Sequence, residues 1–431
     1  MQPVTGSVRQ QQIRSDTRGL VARTIELPDR PDLLAVAGDD GLLWRDERGG
    51  IAAHGTAVRL DLPGGLADSE AVRRVGEALR AIRVEDEVGL PGCGPIAVGA
   101  LPFDPTAAGW LTVPRRIVGR ISDRAWLTTI EPADGSAHPD RSPAPWPRPA
   151  SSGSEESPDQ FSLTPSLPHA AWKALVGTAV ERIQAHDFDK VVLARRIDIS
   201  ANRSFLVGDV LARLVALYPS CIVFSVHGFI GASPELLIAR TGDQVMSHPL
   251  AGTVARSGDA HADEALTAGL LASGKDRGEH QVVIDVLQAA LTPVCRELDV
   301  PQQPSVMALR NVSHLATLIT GRLDPATPET ALELVARVHP TPAVGGDPTD
   351  VALRYQRAVE GFDRGRYAGP VGWVDARGDG AWAIGIRCAE LNGPHARIYA
   401  GVGVVAGSDP ADELTETQLK LQALLAALVR P

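Results

Sequence analysis

Four carboxylates gather near two helix starts. Asp276 and Glu279 stand three apart in Lys275-Asp-Arg-Gly-Glu279-His280, and Glu413 and Glu416 repeat that spacing in Asp412-Glu413-Leu-Thr-Glu416-Thr-Gln-Leu-Lys420. Residues three apart share a helix face. Oxygen-only donors suit Mg²⁺, which keeps part of its water shell and accepts an anionic substrate oxygen. The same acids also serve as partners of helix dipoles, and Glu416 with Lys420 as an i,i+4 pair on a solvated face. Lys190 opens the apolar run Lys190-Val-Val-Leu-Ala-Arg195. At a strand edge such a lysine keeps its head in water; buried, it is a candidate general base. An unperturbed pKa near 10.4 leaves under about 0.1% neutral at pH 7, so a base here needs burial or neighbouring cations to lower it. Glu235, in Gly231-Ala-Ser-Pro234-Glu235-Leu, is either an exposed turn residue or, with a raised pKa, a proton donor. Pro249-Leu-Ala-Gly252-Thr253 reads as a compact apolar turn whose backbone N–H groups suit a carboxylate. His314, flanked by apolar residues, fits a core histidine. Arg387 alternates onto the face opposite Ile386, and an inward Arg is a fork for a carboxylate.

The elements that must position these groups are strand, strand, helix at the C-terminal end. Ala381 to Glu390 alternates as one strand, Ile398 to Gly407 is a Gly-dense second strand, and Pro410 opens a helix with Asp412 and Glu413 in its first turn. Gly-dense strands mark close backbone approach. Further helices are expected over 72–84, 169–186, 210–218, 263–273, 278–298, 329–338 and 348–361. Strands are expected at Leu33–Ala37, Leu42–Trp44, 56–60, Ile96–Phe103, 113–119, 126–130, Lys190–Ile199, 312–323 and Trp373. A meander is expected through Cys221–His227, Phe229–Gly231 and Leu236–Arg240. Residues 1–20 are polar and read as loose. Pro, Ser, Ala, Asp and Gly dominate 132–168, which reads as a loop or linker. The expected organisation is therefore 1–131 contributing strands and helices to the same fold, a 132–168 connection, and a 169–431 catalytic region. Grouped strands and grouped helices, without strict βαβ alternation, give an α+β class.

Composition excludes several function classes. Among 431 residues 44% are hydrophobic and 22% charged, as in ordinary globular chains. No apolar run approaches the ~20 residues of a membrane span, and the N-terminus lacks an apolar signal core, so a cytoplasmic protein is expected. A net charge of −10 without a basic stripe disfavours nucleic acid; an anionic substrate must then be held by local cations. Cys93, Cys221, Cys295 and Cys388 have no paired spacing and read as reduced thiols.

Taken together, nine segments in order resemble the chorismate-utilising enzymes, which include anthranilate, aminodeoxychorismate, salicylate and isochorismate synthases. They are Lys190-Val-Val-Leu-Ala-Arg, Gly231-Ala-Ser-Pro-Glu-Leu, Pro249-Leu-Ala-Gly-Thr, Lys275-Asp-Arg-Gly-Glu-His, Ser313-His-Leu-Ala-Thr, His339-Pro-Thr-Pro-Ala, Phe362-Asp-Arg364, Ile386-Arg-Cys-Ala and Glu413-Leu-Thr-Glu-Thr-Gln-Leu-Lys. Each is weak alone; the ordered set, across about 160–425, is specific. The resemblance implies two large antiparallel sheets packed together with helices outside and a site between them. It implies Mg²⁺ on Glu279 and Glu416, with Glu413 and Asp276 beside it or on its waters. Gly252, Thr253, His314, Ala343, Val344, Tyr367, Arg387, Gly401 and Lys420 would bind chorismate, Lys190 would activate water, and Glu235 would protonate the departing hydroxyl.

Within that family, Ala251 stands where aminodeoxychorismate synthases carry a nucleophilic lysine, and Lys190 where anthranilate synthases usually carry Gln. Salicylate synthases tend to have a Thr near Val344. The resemblance therefore implies an isomerase that makes isochorismate, with salicylate formation as the alternative. It further implies a monomer with no obligatory glutaminase partner.

Overall fold

The computed structural model describes residues 16–134, 157–326 and 328–429. The looseness expected at the start of the chain lies outside the described residues up to residue 15, as does the expected linker between residues 135 and 156. Two large sheets carry the fold. Among the described residues the first has 13 strands, the second nine and a third three. The first runs from Phe161–Pro165 through Lys190–Ala201, His395–Val404, Cys388–Asn392, Phe229–Ser233, Ile222–Val226, Leu42–Arg45, Gly49–His54, Arg116–Ile121, Arg124–Pro132 and Leu20–Leu27 to Arg83–Asp86, with Gly346–Asp347 pairing beside Lys190. The second runs from Cys295–Asp299 through Ile319–Leu323, Gln244–His248, Leu236–Thr241, Gly380–Ile384, Pro370–Asp375, Ile96–Ala100 and Gly109–Val113 to Val58–Leu62. Among the described residues pairing is antiparallel except between Leu20–Leu27 and Arg83–Asp86. The third sheet, Leu250–Ala255, Val312–Ala316 and Ser305–Ala308, stands apart. The early strands are woven into both large sheets: Leu42–Arg45 pairs with Ile222–Val226, and Ile96–Ala100 with Pro370–Asp375.

The sheets exchange strands, and there the sequence reading needs correction. The expected meander divides: Phe229–Ser233 belongs to the first sheet and Leu236–Thr241 to the second, with Pro234 and Glu235 at the corner. The expected single strand from Ala381 to Glu390 divides likewise into Gly380–Ile384 and Cys388–Asn392, so Arg387 is not an alternating strand residue. These two chains stay paired before and after the bend. At the corner Ile384 N–H donates to Glu235 C=O (3.1 Å) and Ala232 N–H to Arg387 C=O (3.0 Å). Arg387 turns the corner at φ 48°, which a non-glycine residue holds only where its surroundings enforce it. The 113–119 and 312–323 runs also change sheet midway. Period-2 alternation continues across such a corner, so it does not mark the change.

Three local expectations also change. Leu33–Ala37 is a short helix, because the Asp32 side chain accepts from Leu34 N–H and Gly38, at φ 57°, ends it. The helix expected over 278–298 runs Gly274–Leu291: Ser273 caps it, and Pro293 follows its end, after which Cys295–Asp299 is a strand. The compact turn expected at Pro249–Thr253 is the strand Leu250–Ala255, bulged where Gly252 takes φ 71°. Part of the expected linker, Phe161–Pro165, is an edge strand on Lys190–Ala201. The core between the large sheets is apolar, with Phe224, Phe229, Leu237, Trp382 and Ile384 all buried.

Candidate active site

The cleft opens where the strands part at the Glu235–Arg387 corner. Its wall comprises Glu235, Gly252, Thr253, Glu279, His314, Ala343, Val344, Tyr367, Arg387, Gly401, Glu416 and Lys420, all expected from the sequence. Three expected residues stand behind this wall. Lys190 lies beneath Glu279, Asp276 packs its Cβ on the back of Gly252, and Glu413 turns toward Lys275.

Glu235 is 3% exposed. Burial pushes its carboxyl up to about 8, against the opposing pull of the Leu250 N–H, Lys190, Arg387 and Lys420. It therefore carries a proton at neutral pH, the state a general acid needs. Lys190, 1% exposed, begins the strand that pairs with His395–Val404. Its Nζ lies 3.0 Å from Glu279 Oε1, off the hydrogen-bonding direction, so the group has a charge partner but no hydrogen-bond acceptor among the described residues. Gly403 makes this crossing possible: a Cβ there would stand 2.2 Å from Glu279 Oε1 and 2.9 Å from Lys190 Cε.

Cations line the same cleft. His314 Nε2 lies 3.3 Å from Arg387 Nη2, and its Nδ1 3.1 Å from Thr253 Oγ1 and 3.2 Å from Gly252 C=O. Arg only donates, so Nε2 is the acceptor and Nδ1 carries the hydrogen. Burial, with Arg387 and Lys420 nearby, holds His314 well below the usual imidazole range, keeping it neutral. His314 thus links Arg387 to the bulged Gly252 strand. Lys420 Nζ donates to Gly401 C=O (2.9 Å) and pairs with Glu416 Oε1 (2.5 Å). The Tyr367 ring stacks on Tyr399 at 4.8 Å, which sets its hydroxyl over Gly401, where a Cβ would lie 2.8 Å away.

The four acids are placed by two helices, Gly274–Leu291 and Pro410–Leu428. Glu279 and Glu416 both face the cleft, and two carboxylates with room for water and substrate oxygens fit a hard divalent cation. No cluster of three or more His, Cys, Asp or Glu side chains suited to a metal occurs among the described residues, so a cation would take its remaining ligands from water and substrate. Glu413 sits behind; burial and then Glu416 push its carboxyl up, and Lys275 draws it down.

The sequence reading missed a brace under the Lys190 strand. Between the Gly346–Asp347 and Phe161–Pro165 pairings, the edge of Lys190–Ala201 has no strand partner among the described residues. Side chains take that place. Glu360 accepts from Ala194 N–H (2.8 Å), while Arg364 donates to Val192 C=O and Val344 C=O (each 2.8 Å). Gln356 also donates to Val192 C=O (2.8 Å). Arg364 lies in Phe362-Asp-Arg364, but nothing in its spacing points to an unpaired strand edge. Val192, Leu250, Ile386, Tyr399 and Gly403 also line the cleft and were not singled out. The Gly-dense strand was the available signal for Gly403.

Comparison with known proteins gives the family. Residues 30–429 match the family model described as chorismate binding enzyme. Isochorismate synthase DhbC of Bacillus subtilis is 37% identical over 371 residues, which cover 82% of this chain and 85% of that protein. The structure of MenF, the menaquinone-specific isochorismate synthase of Escherichia coli, superposes with a TM-score of 0.78 at 25% identity, covering 97% of this chain and 96% of that one. The chain belongs to the chorismate-binding enzymes.

Proposed function

We propose that the protein is an isochorismate synthase, an isomerase that converts chorismate reversibly to isochorismate. The observation that carries the reading is a buried protonated carboxyl, Glu235, in a cleft lined by Glu279, Glu416, Arg387 and Lys420, with the buried amine of Lys190 directly behind Glu279. Water adds at ring C2 and gives a proton to Lys190 once that side chain has released its own proton and, with it, its charge pairing to Glu279. The ring double bonds shift, and the C4 hydroxyl leaves as water with the proton of Glu235. One water enters and one departs, and Lys190 then gives up its extra proton to solvent while Glu235 regains one, so the net change is isomerisation. Arg387 and Lys420 supply charge for the substrate carboxylates, and neutral His314 holds the Arg387 fork in register. Glu279 and Glu416 would hold Mg²⁺, which, when bound, supplies positive charge for the ring carboxylate and withdraws electron density from the ring.

We also propose that the chain works alone in the cytoplasm, without a glutaminase subunit. Its four cysteines are free thiols, and no helix among the described residues is long and apolar enough to cross a membrane. Size-exclusion chromatography with light scattering checks the monomer. The activity is tested by incubating the protein with chorismate and Mg²⁺, with and without EDTA, and separating the products. Isochorismate that disappears with EDTA is the expected result. Salicylate and pyruvate as the enzyme-dependent products would turn the reading to a lyase, and unchanged chorismate would reduce it to a binding protein.

A further inference from the structure

One lysine near the acids has no place in the reaction above. Lys275 is the second residue of the helix Gly274–Leu291. A cation in a first turn opposes the helix dipole, so local helix energetics do not explain it. Its Nζ crosses to the other acidic helix and donates to Glu413 Oε1 at 3.1 Å. The Glu413 side chain is only 5% exposed, whereas Lys275 is 41% exposed. Burial lowers the Lys275 pKa, but Glu413, Glu279 and Asp276 outweigh it and leave the pKa raised. One ammonium therefore feels three of the four acids at once. Lys190 and Lys420 also pair with acids here, yet both are held inside, 2% and 12% exposed at the side chain. Lys275 alone among these three reaches in from solvent on a flexible stem, so it can leave without unpacking the core.

We propose that Lys275 is an exchangeable counter-ion of the acidic wall, which neutralises it while no divalent cation is bound and competes with such a cation for it. Lys275 thereby sets how tightly Glu279 and Glu416 hold a divalent ion. This inference rests on the reading that those two acids bind one. Its consequence is that removing the lysine charge tightens cation binding, whereas a residue serving only to join two helices would weaken it or leave it unchanged.

The test measures Mn²⁺ binding by electron paramagnetic resonance, without chorismate, for the wild type, Lys275→Gln and Lys275→Arg. Gln keeps a donor for Glu413 and drops the charge; Arg keeps the charge. The inference expects Lys275→Gln to bind Mn²⁺ about tenfold more tightly, as for loss of one unit charge several ångströms away, and Lys275→Arg to match the wild type. Equal or weaker binding by Lys275→Gln overturns it. Wild-type protein that binds no Mn²⁺ overturns the metal reading instead. Thermal unfolding gives a second readout on the same proteins. In EDTA, Lys275→Gln should melt below the wild type, and saturating Mg²⁺ should close the gap. A gap that Mg²⁺ leaves unchanged also overturns the inference.

Discussion

Two sets of buried charge lie a few residues apart along the Lys190 strand, and they are built on opposite rules. Under the strand, Glu360 and Arg364 form a 4%/3% exposed ion pair. Arg364 Nε donates to Glu360, and its two terminal nitrogens reach Val344, Val192 and Glu360 again, while Glu360 also accepts from Ala194. Its charges have spent their hydrogen-bonding capacity on the backbone they hold. At the strand's start, Lys190 has Glu279 as a charge partner and no hydrogen-bond acceptor among the described residues. Glu235 is buried so deeply that it keeps its proton. A saturated buried pair fixes geometry; an unsaturated one is free to exchange protons and ligands.

Substitutions should separate the two sets. The largest effect is expected from Glu235→Gln, which should lower kcat by about 10²–10⁴-fold, the usual worth of a positioned acid. Gln preserves an acceptor for the Leu250 N–H. Between pH 4.5 and about 8 the folded chain binds a proton at Glu235 that the unfolded chain has released. Stability at this site therefore falls as pH rises through that window, and the penalty is complete above it. Glu235→Gln should thus melt higher than the wild type at pH 8 while losing its activity. A lower melting temperature at pH 8 would remove Glu235 from the unsaturated set.

Arg364→Met should do the reverse. Leaving Glu360 buried without its partner costs about 3–5 kcal/mol, read by denaturant unfolding. The protein that remains folded should bind Mn²⁺ as the wild type does, since the brace touches neither acidic helix. Next comes Gly403→Ala. Its Cβ would sit 2.2 Å from Glu279 Oε1, so the carboxylate must turn away from both Lys190 and the cleft. We expect roughly a 30-fold loss in kcat/KM, in line with the cost of misplacing a catalytic group by about an ångström. Isothermal titration with Mg²⁺ should show weaker binding in the same variant. Wild-type Mg²⁺ affinity in Gly403→Ala would detach Glu279 from the cation site.

Much of this contrast was legible in the chain. Acids at three-residue spacing, a lysine opening an apolar run and a Pro-Glu corner are short-range features that mark Glu235, Glu279, Glu416 and Lys190, whereas Ala343, Val344, Tyr367 and Gly401 were expected only through the family resemblance. What was hidden depends on long-range pairing. Arg387 reads as an alternating strand residue because its neighbours alternate on both sides of the bend; only the partner Phe229–Ser233 reveals that the strand changes sheet there. Lys190 and Glu279 are brought together by a glycine on a third segment, Gly403. Arg364 completes a strand edge more than 160 residues earlier in the chain, and neither composition nor periodicity marks an edge that side chains will fill. Leu33–Ala37 failed for a local reason: five apolar residues carry no period, and its caps decided the matter.

The smallest predicted effect sharpens the comparison furthest, because it is read without a change of fold. As pH rises past about 8, Glu235 loses the proton that the leaving hydroxyl must take. The alkaline limb of kcat/KM for the free enzyme should therefore fall about tenfold per pH unit above that point. Buried cations nearby pull this carboxyl down and burial holds it up, so the limb reports how dry the corner is. Glu235→Gln should show low activity with no such limb, whereas Arg364→Lys, which keeps the charge of the brace, should keep the limb where it is. If the limb survives in Glu235→Gln, the titrating acid is another residue, and the protonated corner carboxyl is no more than a cost of building the bend between the sheets.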